Sequence, residues 1–206
     1  MNLRPKSKRS WGRLGMKFDE DVLYFINTDI QGKRVSLFDL ANWKNGLAFK
    51  KIDFSETGEP VIKIAELNNG ITGTTAFTDK QYLPEVHLTK GDLVFSWSGN
   101  PQTSIDTYWY DLPDGWLNQH IFKVTPDELE VDKYFFFYVM KYLKPTFTAI
   151  ATNKQTTGLG HVTIADLKRL NVIVPEREVQ KKIAGVLKAI DDKVYVNNEI
   201  NKNLAA

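Results

Sequence analysis

The 206-residue chain reads as an α+β protein: a β-rich domain built on an irregular sheet or barrel with a few packed helices, then a long C-terminal coiled-coil helix. Three observations predict this. Between Leu23 and Val124, short apolar and β-branched runs alternate with clusters of Gly, Asn, Pro and Asp. From Leu129 to Leu143 the chain is nearly continuous in aromatic and aliphatic residues. Beyond Glu176, apolar residues recur at spacings of three and four. The expected organisation is a basic arm and first strand over 1–30, a β-rich domain over 31–175 and a helix over 176–206.

In the first segment Arg4, Lys6, Lys8, Arg9 and Arg13 precede any acidic residue. Such a start is either a solvated tail or a phosphate-contacting arm, and charge alone does not choose. Strands are expected at Leu23–Ile26, Pro60–Ile64, Leu93–Trp97, Ile105–Tyr110 and His120–Val124, separated by turn sequences such as Asn69-Gly70, Lys90-Gly91-Asp92 and Pro113-Asp114-Gly115. Many short strands argue for a curled sheet and against a doubly wound α/β fold.

The first helix is predicted from Thr125 as N-cap, Pro126 at the first helical position and Glu128 as capping-box acid, with Pro145 as its stop. Being apolar almost all round, it is expected to be buried. A short second helix opens at Thr163 with Asp166 as its partner, and Asn171–Val174 reads as a strand ended by Pro175. In the last element Ile183, Leu187, Ile190, Val194, Asn197, Asn201 and Leu204 form the a/d seam of a coiled coil. Val179 and Val186 are expected to widen the apolar face where the helix packs on its own domain. Asn197 and Asn201 stand where stability alone would favour Leu or Ile; polar seam residues fix register and partner number.

Composition bounds the function. An apolar share of 42% with 12% aromatics supports a packed core, and 25% charged residues is ordinary. The absence of cysteine excludes disulfides and thiolate metal sites and points to a reducing cytoplasm. No run approaches the roughly 18 apolar residues of a membrane span, and no apolar run follows the basic start as in a secretory signal. A net charge of +2 is unremarkable. Phosphate-binding G-x-x-x-x-G-K-[ST], dinucleotide G-x-G-x-x-G, nucleophile-elbow and H-E-x-x-H motifs are lacking, as is an Asn-Pro-Pro-Tyr-like methyltransferase motif. His87, His120 and His161 are far apart in sequence, so neither a metal nor another cofactor is expected.

What remains are polar loops of the residue types that read base edges and phosphates: Asn68 and Asn69; Ser98, Asn100, Gln102 and Thr103; Asn118, Gln119 and His120; and Lys154, Gln155, Thr156 and Thr157. Lys44 and Asn45 add another such pair. Asn and Gln pair bidentately with adenine, Lys reaches guanine or phosphate, and Ser or Thr contacts either. Singly each loop is ordinary turn chemistry; together they make double-stranded DNA the candidate partner.

The same loops carry a resemblance. Gly91-Asp92-Leu93-Val94-Phe95-Ser96-Trp97-Ser98-Gly99-Asn100-Pro101-Gln102-Thr103-Ser104 and Gly115-Trp116-Leu117-Asn118-Gln119-His120-Ile121-Phe122 resemble successive blocks of the target-recognition domains of type I restriction-modification specificity subunits. Gly160-His161-Val162-Thr163 with Asp166-Leu167 is similar to that family's "H-I-T … D-L" block. Val174-Pro175-Glu176-Arg177-Glu178-Val179-Gln180-Lys181-Lys182-Ile183-Ala184 is similar to its "P-x-x-E-Q-x-x-I-A" spacer-helix start, with Val179 where the pattern has Glu before Gln. Asp191-Asp192-Lys193 and Asn197-Asn198-Glu199-Ile200-Asn201 continue in family style. The resemblance runs from about Val35 onward. It implies a non-catalytic subunit that reads half of a split DNA target and docks methyltransferase and restriction (motor) subunits. A full subunit carries two such domains and two helices, so one of each implies a self-associating half or a fragment. Two other readings compete: a self-contained DNA-acting enzyme, either a small nuclease or a methyltransferase fragment, and a coiled-coil adaptor whose β-domain binds protein.

Overall fold

The structure, a computed structural model, describes residues 31–155 and 158–204. The basic arm, the Leu23–Ile26 run, Thr156 and Thr157 lie outside the described residues. The fold is α+β, with open sheets and a 28-residue C-terminal helix.

The first sheet is antiparallel, in the order β2 (Ala41–Asn45), β10 (Ile121–Pro126), β6 (Leu93–Ser96), β8 (Asp106–Trp109). The second orders β4 (Phe77–Thr78), β3 (Glu59–Ile62), β9 (Gly115–Leu117), β5 (His87–Leu88), with β3 and β9 parallel. Two small pairs complete it: β1 (Lys33–Ser36) with β12 (Asn171–Val174), and β7 (Ser98–Gly99) with β11 (Gly160–His161). The sheets meet where Leu47 bridges Asn118. A Cβ on Gly46 would sit 2.3 Å from the Asn118 carbonyl oxygen, so only glycine lets the chain pass.

Strand alternation builds two cores. Leu93, Phe95, Phe122 and Val124 point to the larger one, beneath the helices, while Val94 and Ile121 point to the smaller one with Trp116, Leu117 and Tyr110. Trp43 joins the larger, stacking on Phe38 and meeting Phe95 and Phe122 edge-on, with its ring N–H donated to the Phe38 carbonyl (2.9 Å).

Several expectations are corrected. Thr125 and Pro126 do not start a helix; they end β10, opposite Asn42 and Ala41, because the ladder to β2 continues through them. The helix α2 (Lys133–Tyr142) is capped by Asp132, which accepts the N–H groups of Tyr134 and Phe135. Pro145 does not stop the helical path. It sits in the first turn of α3 (Lys144–Asn153), where its missing N–H has no helical partner to lose, and only Leu143 separates the helices. Nor is α2 wholly buried: Phe136 and Met140 are, while Tyr134 and Tyr142 are exposed.

The run after Ile62 is not strand or loop but helix α1 (Ile64–Asn69). The buried Glu66 carboxylate accepts the Lys63 N–H (3.0 Å) and the Thr75 hydroxyl (3.1 Å), which favours a capped turn over further pairing. Asn68 and Asn69 are therefore helical. Gly115–Leu117, read as loop, is β9. The helix α4 (Ile164–Arg169) opens as predicted, with Thr163 and Asp166 capping reciprocally.

The last helix, α5 (Arg177–Leu204), inverts one expectation. Gln180 and Ala184 face the domain, while Val179 and Val186 are exposed. At about 100° per residue, Val179 and Val186 fall on the far flank of the Ile183–Leu187–Ile190–Val194 stripe, roughly a third of a turn or more from Gln180 and Ala184. Spacing shows that residues share a stripe but not which stripe meets the domain.

Candidate nucleic-acid interface

Trp97 organises the polar loops. Its backbone N–H donates to the His120 carbonyl (3.2 Å) and its carbonyl accepts the Val162 N–H (2.8 Å). Its ring N–H donates to Asn45 Oδ1 (2.9 Å), and the ring lies 5.8 Å from His120 and 5.7 Å from Phe122. One residue thus gathers the end of β2, the β9–β10 turn and β11. Ser98 and Gly99 then pair with His161 and Gly160. A Cβ on Gly160 would stand 2.1 Å from the Ala151 carbonyl oxygen, so the glycine lets β11 press against α3.

The loop after β7 is held from within. Asn100 Oδ1 accepts the N–H groups of Gln102 (3.0 Å) and Thr103 (3.3 Å), an Asx-turn that presents both side chains outward. Asn68 fixes this loop from α1: its Nδ2 donates to the Thr103 carbonyl (3.2 Å) and its Oδ1 accepts the Tyr108 hydroxyl (2.7 Å). Thr148 of α3 donates to the Pro101 carbonyl (3.2 Å). In the β9–β10 turn Asn118 Oδ1 accepts the His120 N–H (3.4 Å), and the Gln119 amide approaches the His120 ring (3.3 Å).

The predicted residues therefore divide. Asn45, Asn68, Ser98, Asn100, Gln102, Thr103, Asn118, Gln119 and His120 are linked through Trp97 and the loop after β7. Asn68 and Asn100 are occupied in holding backbone, and the exposed Asn69 ends α1 beside them. Lys44 is apart: it opposes Lys123 while Asn45 opposes Phe122, so the two side chains leave opposite faces of β2.

Lys154 is an internal ion-pair partner, its ammonium donating to the buried Asp166 carboxylate and to the Thr163 hydroxyl (3.5 Å). Asp166 also accepts the Thr163 N–H (2.7 Å) and hydroxyl (2.6 Å). Burial alone would raise its pKa; Lys154 and the Thr163 donors outweigh that and hold it below the ordinary 3.8. Gln155 is exposed. Sequence reasoning missed Trp97 as organiser and the exposed His161 beside Ser98. A tryptophan between a buried strand and Ser-Gly was the available signal.

Among the described residues no group of three or more His, Asp and Glu could hold a metal, and no helix is long and apolar enough to cross a membrane. The domain is an open α+β fold whose amide- and hydroxyl-bearing loops meet around Trp97, and it extends a long helix on which Ile190, Val194 and Leu204 are exposed. The chain belongs to the type I restriction modification DNA specificity domain family, whose sequence profile matches residues 32–206. It is 29% identical over 157 residues to the type I restriction enzyme EcoBI specificity subunit of Escherichia coli, covering 75% of this chain and 31% of that protein.

Its fold is similar to the type I restriction-modification S subunit of M. genitalium (TM-score 0.60, 20% identity, 86% of this chain and 44% of that one). It is also similar to the HsdS subunit of Thermoanaerobacter tengcongensis (TM-score 0.57, 17% identity, 80% and 38%). A third match is a chain from work on complex assembly and conformational transition of the type I R-M system (TM-score 0.62, 17% identity, 87% and 43%). The chain thus spans less than half the length of each of these relatives.

Proposed function

We propose that the chain is a non-catalytic DNA-specificity component of a type I restriction-modification complex. In this reading residues 31–175 read one half of a split double-stranded target, and residues 176–206 form the assembly helix. The observation that carries it is the convergence of the Asn45, Ser98–Thr103 and Asn118–His120 segments on Trp97. Side chains free to face a groove there are Asn69, Gln102, Thr103, Gln119 and His120, with Gln155 and the pair Thr156 and Thr157 as flanking candidates. The uncovered stripe of α5 supports self-association or pairing with a second half, and docking of methyltransferase and restriction subunits. Paired identical halves would address a palindromic split target. In this reading the chain works in the cytoplasm, alongside its DNA and partner subunits.

The test is DNA selection from a random duplex library by the chain together with its cognate methyltransferase subunit. One enriched sequence is expected, with affinity falling steeply as salt rises. Gln119→Ala with His120→Ala should weaken the enriched duplex about tenfold or more and leave bulk duplex binding nearly unchanged. Methylation or cleavage by the chain alone would establish an enzyme instead. Absence of any DNA retention with the methyltransferase present would favour a protein-binding adaptor.

A further inference from the structure

The helix α5 meets its own domain through Gln180, the core-packed Ile183 and Ala184, and Asp191. Gln180 is 2% exposed; its Oε1 accepts the Asp132 N–H (2.7 Å) and its Nε2 donates to the Pro175 carbonyl (2.8 Å). Ala184, one turn on and 4% exposed, joins the main core. Two turns further, the Asp191 carboxylate accepts the Tyr138 hydroxyl (2.9 Å). Tyr138 belongs to α2 and rests edge-on against Phe137.

At 1.5 Å per residue, Gln180 and Asp191 stand about 16 Å apart along the helix. One anchor would leave a rod free to swing and roll. Two anchors this far apart, on one face, fix both its direction and its rotation about its own axis. The apolar stripe through Leu187, Ile190 and Val194 lies about a quarter turn away. Where that stripe points, relative to the polar edge around Trp97, is thus set by these two contacts together with the packing of Ile183 and Ala184 between them.

We infer that Tyr138 and Gln180 are positioning residues that set the rotational phase between the DNA-reading edge and the assembly seam. This rests on the specificity reading above. B-DNA turns once in about 10–10.5 base pairs, so a roll of about 35° corresponds to one base pair of phase. Loosening the second anchor relaxes the gap length accepted between two half-sites by about one base pair.

The chain has no cysteine, so spin labels can be placed at will in the full chain. Labels at Glu85→Cys and Lys188→Cys, diluted with unlabelled protein, report the angle of α5 by pulsed electron resonance. A single narrow distance distribution is expected. Tyr138→Phe and Asp191→Leu should each broaden it about twofold, whereas Asp191→Asn, which keeps an acceptor, should not. A Tyr138→Phe distribution superimposable on the parent overturns the inference. In parallel, duplexes of varied gap are selected with the cognate methyltransferase subunit. The parent should prefer one gap, and Tyr138→Phe should accept its neighbours equally. An unchanged gap profile in Tyr138→Phe overturns the phase-setting role. A parent with no gap preference overturns the reading of α5 as a spacer, a result the label distances do not depend on.

Discussion

Asp166 gathers the Thr163 N–H and hydroxyl and the Lys154 ammonium on one buried carboxylate, closing the cap of α4 and tying it to the end of α3. Asp166→Asn keeps the shape but loses the charge, and should cost about 2 kcal/mol in urea unfolding. Asp106 plays a similar part, accepting Lys141 of α2 (2.7 Å) and Lys144 of α3 (2.5 Å) and so holding the α2–α3 corner against β8. Asp106→Ala should destabilise by about 1–2 kcal/mol, the lower end because both lysines retain water. Burial opposes ionisation of Asp106, and the two lysines overcome it, so its folded pKa lies below 3.8, as does that of Asp166. For a depressed carboxylate the unfolded chain binds the proton first as pH falls. The stability from these pairs is therefore full above the unfolded value and disappears as pH drops through the folded values. The urea midpoint should fall from about pH 5 down to about pH 2, less steeply in Asp166→Asn.

Elements differ in how openly their sequences announce them. α4 and β12 were legible because Thr163, Asp166 and the Asn171–Val174 run carry their signals within a few residues. The start of α2 was not, because Thr125-Pro126 forms a sound local cap that loses to a ladder with Ala41 and Asn42, some eighty residues earlier. β1 was missed for the same reason: its four-residue partner is β12. The polar loops were legible as chemistry, but not which amides hold the scaffold; Asn68 and Asn100 look the same as Gln102 until their partners are seen.

Glycine at the sheet junction makes an element-level prediction. Gly46→Ala forces the Asn118 carbonyl aside and should cost about 1–3 kcal/mol by urea titration. On α5, Leu187→Asp should abolish capture of the cognate methyltransferase subunit or of a second copy. Val186→Asp should also weaken it while leaving the melting temperature nearly unchanged, since Val186 is exposed. Unaltered capture by both variants would count against the seam.

At the scale of the whole molecule, a packed recognition domain is joined to a helix that leaves it. From Gly185 to Leu204 every residue is exposed apart from the half-buried Glu199, and Ile190, Val194 and Leu204 offer their side chains to water. The stretch beyond Asp191 extends a helix already nucleated on the domain, but with no tertiary packing of its own its turns fray from the free end. Its backbone order therefore depends on what covers it. In the free chain, amides from Lys193 to Leu204 should exchange with deuterium within seconds, while those of β6 and β10 remain protected far longer. Assembly should slow exchange in that stretch by orders of magnitude. The outer turns would then act as a sensor of occupancy, their backbone hydrogen bonds locking at the moment the complex forms.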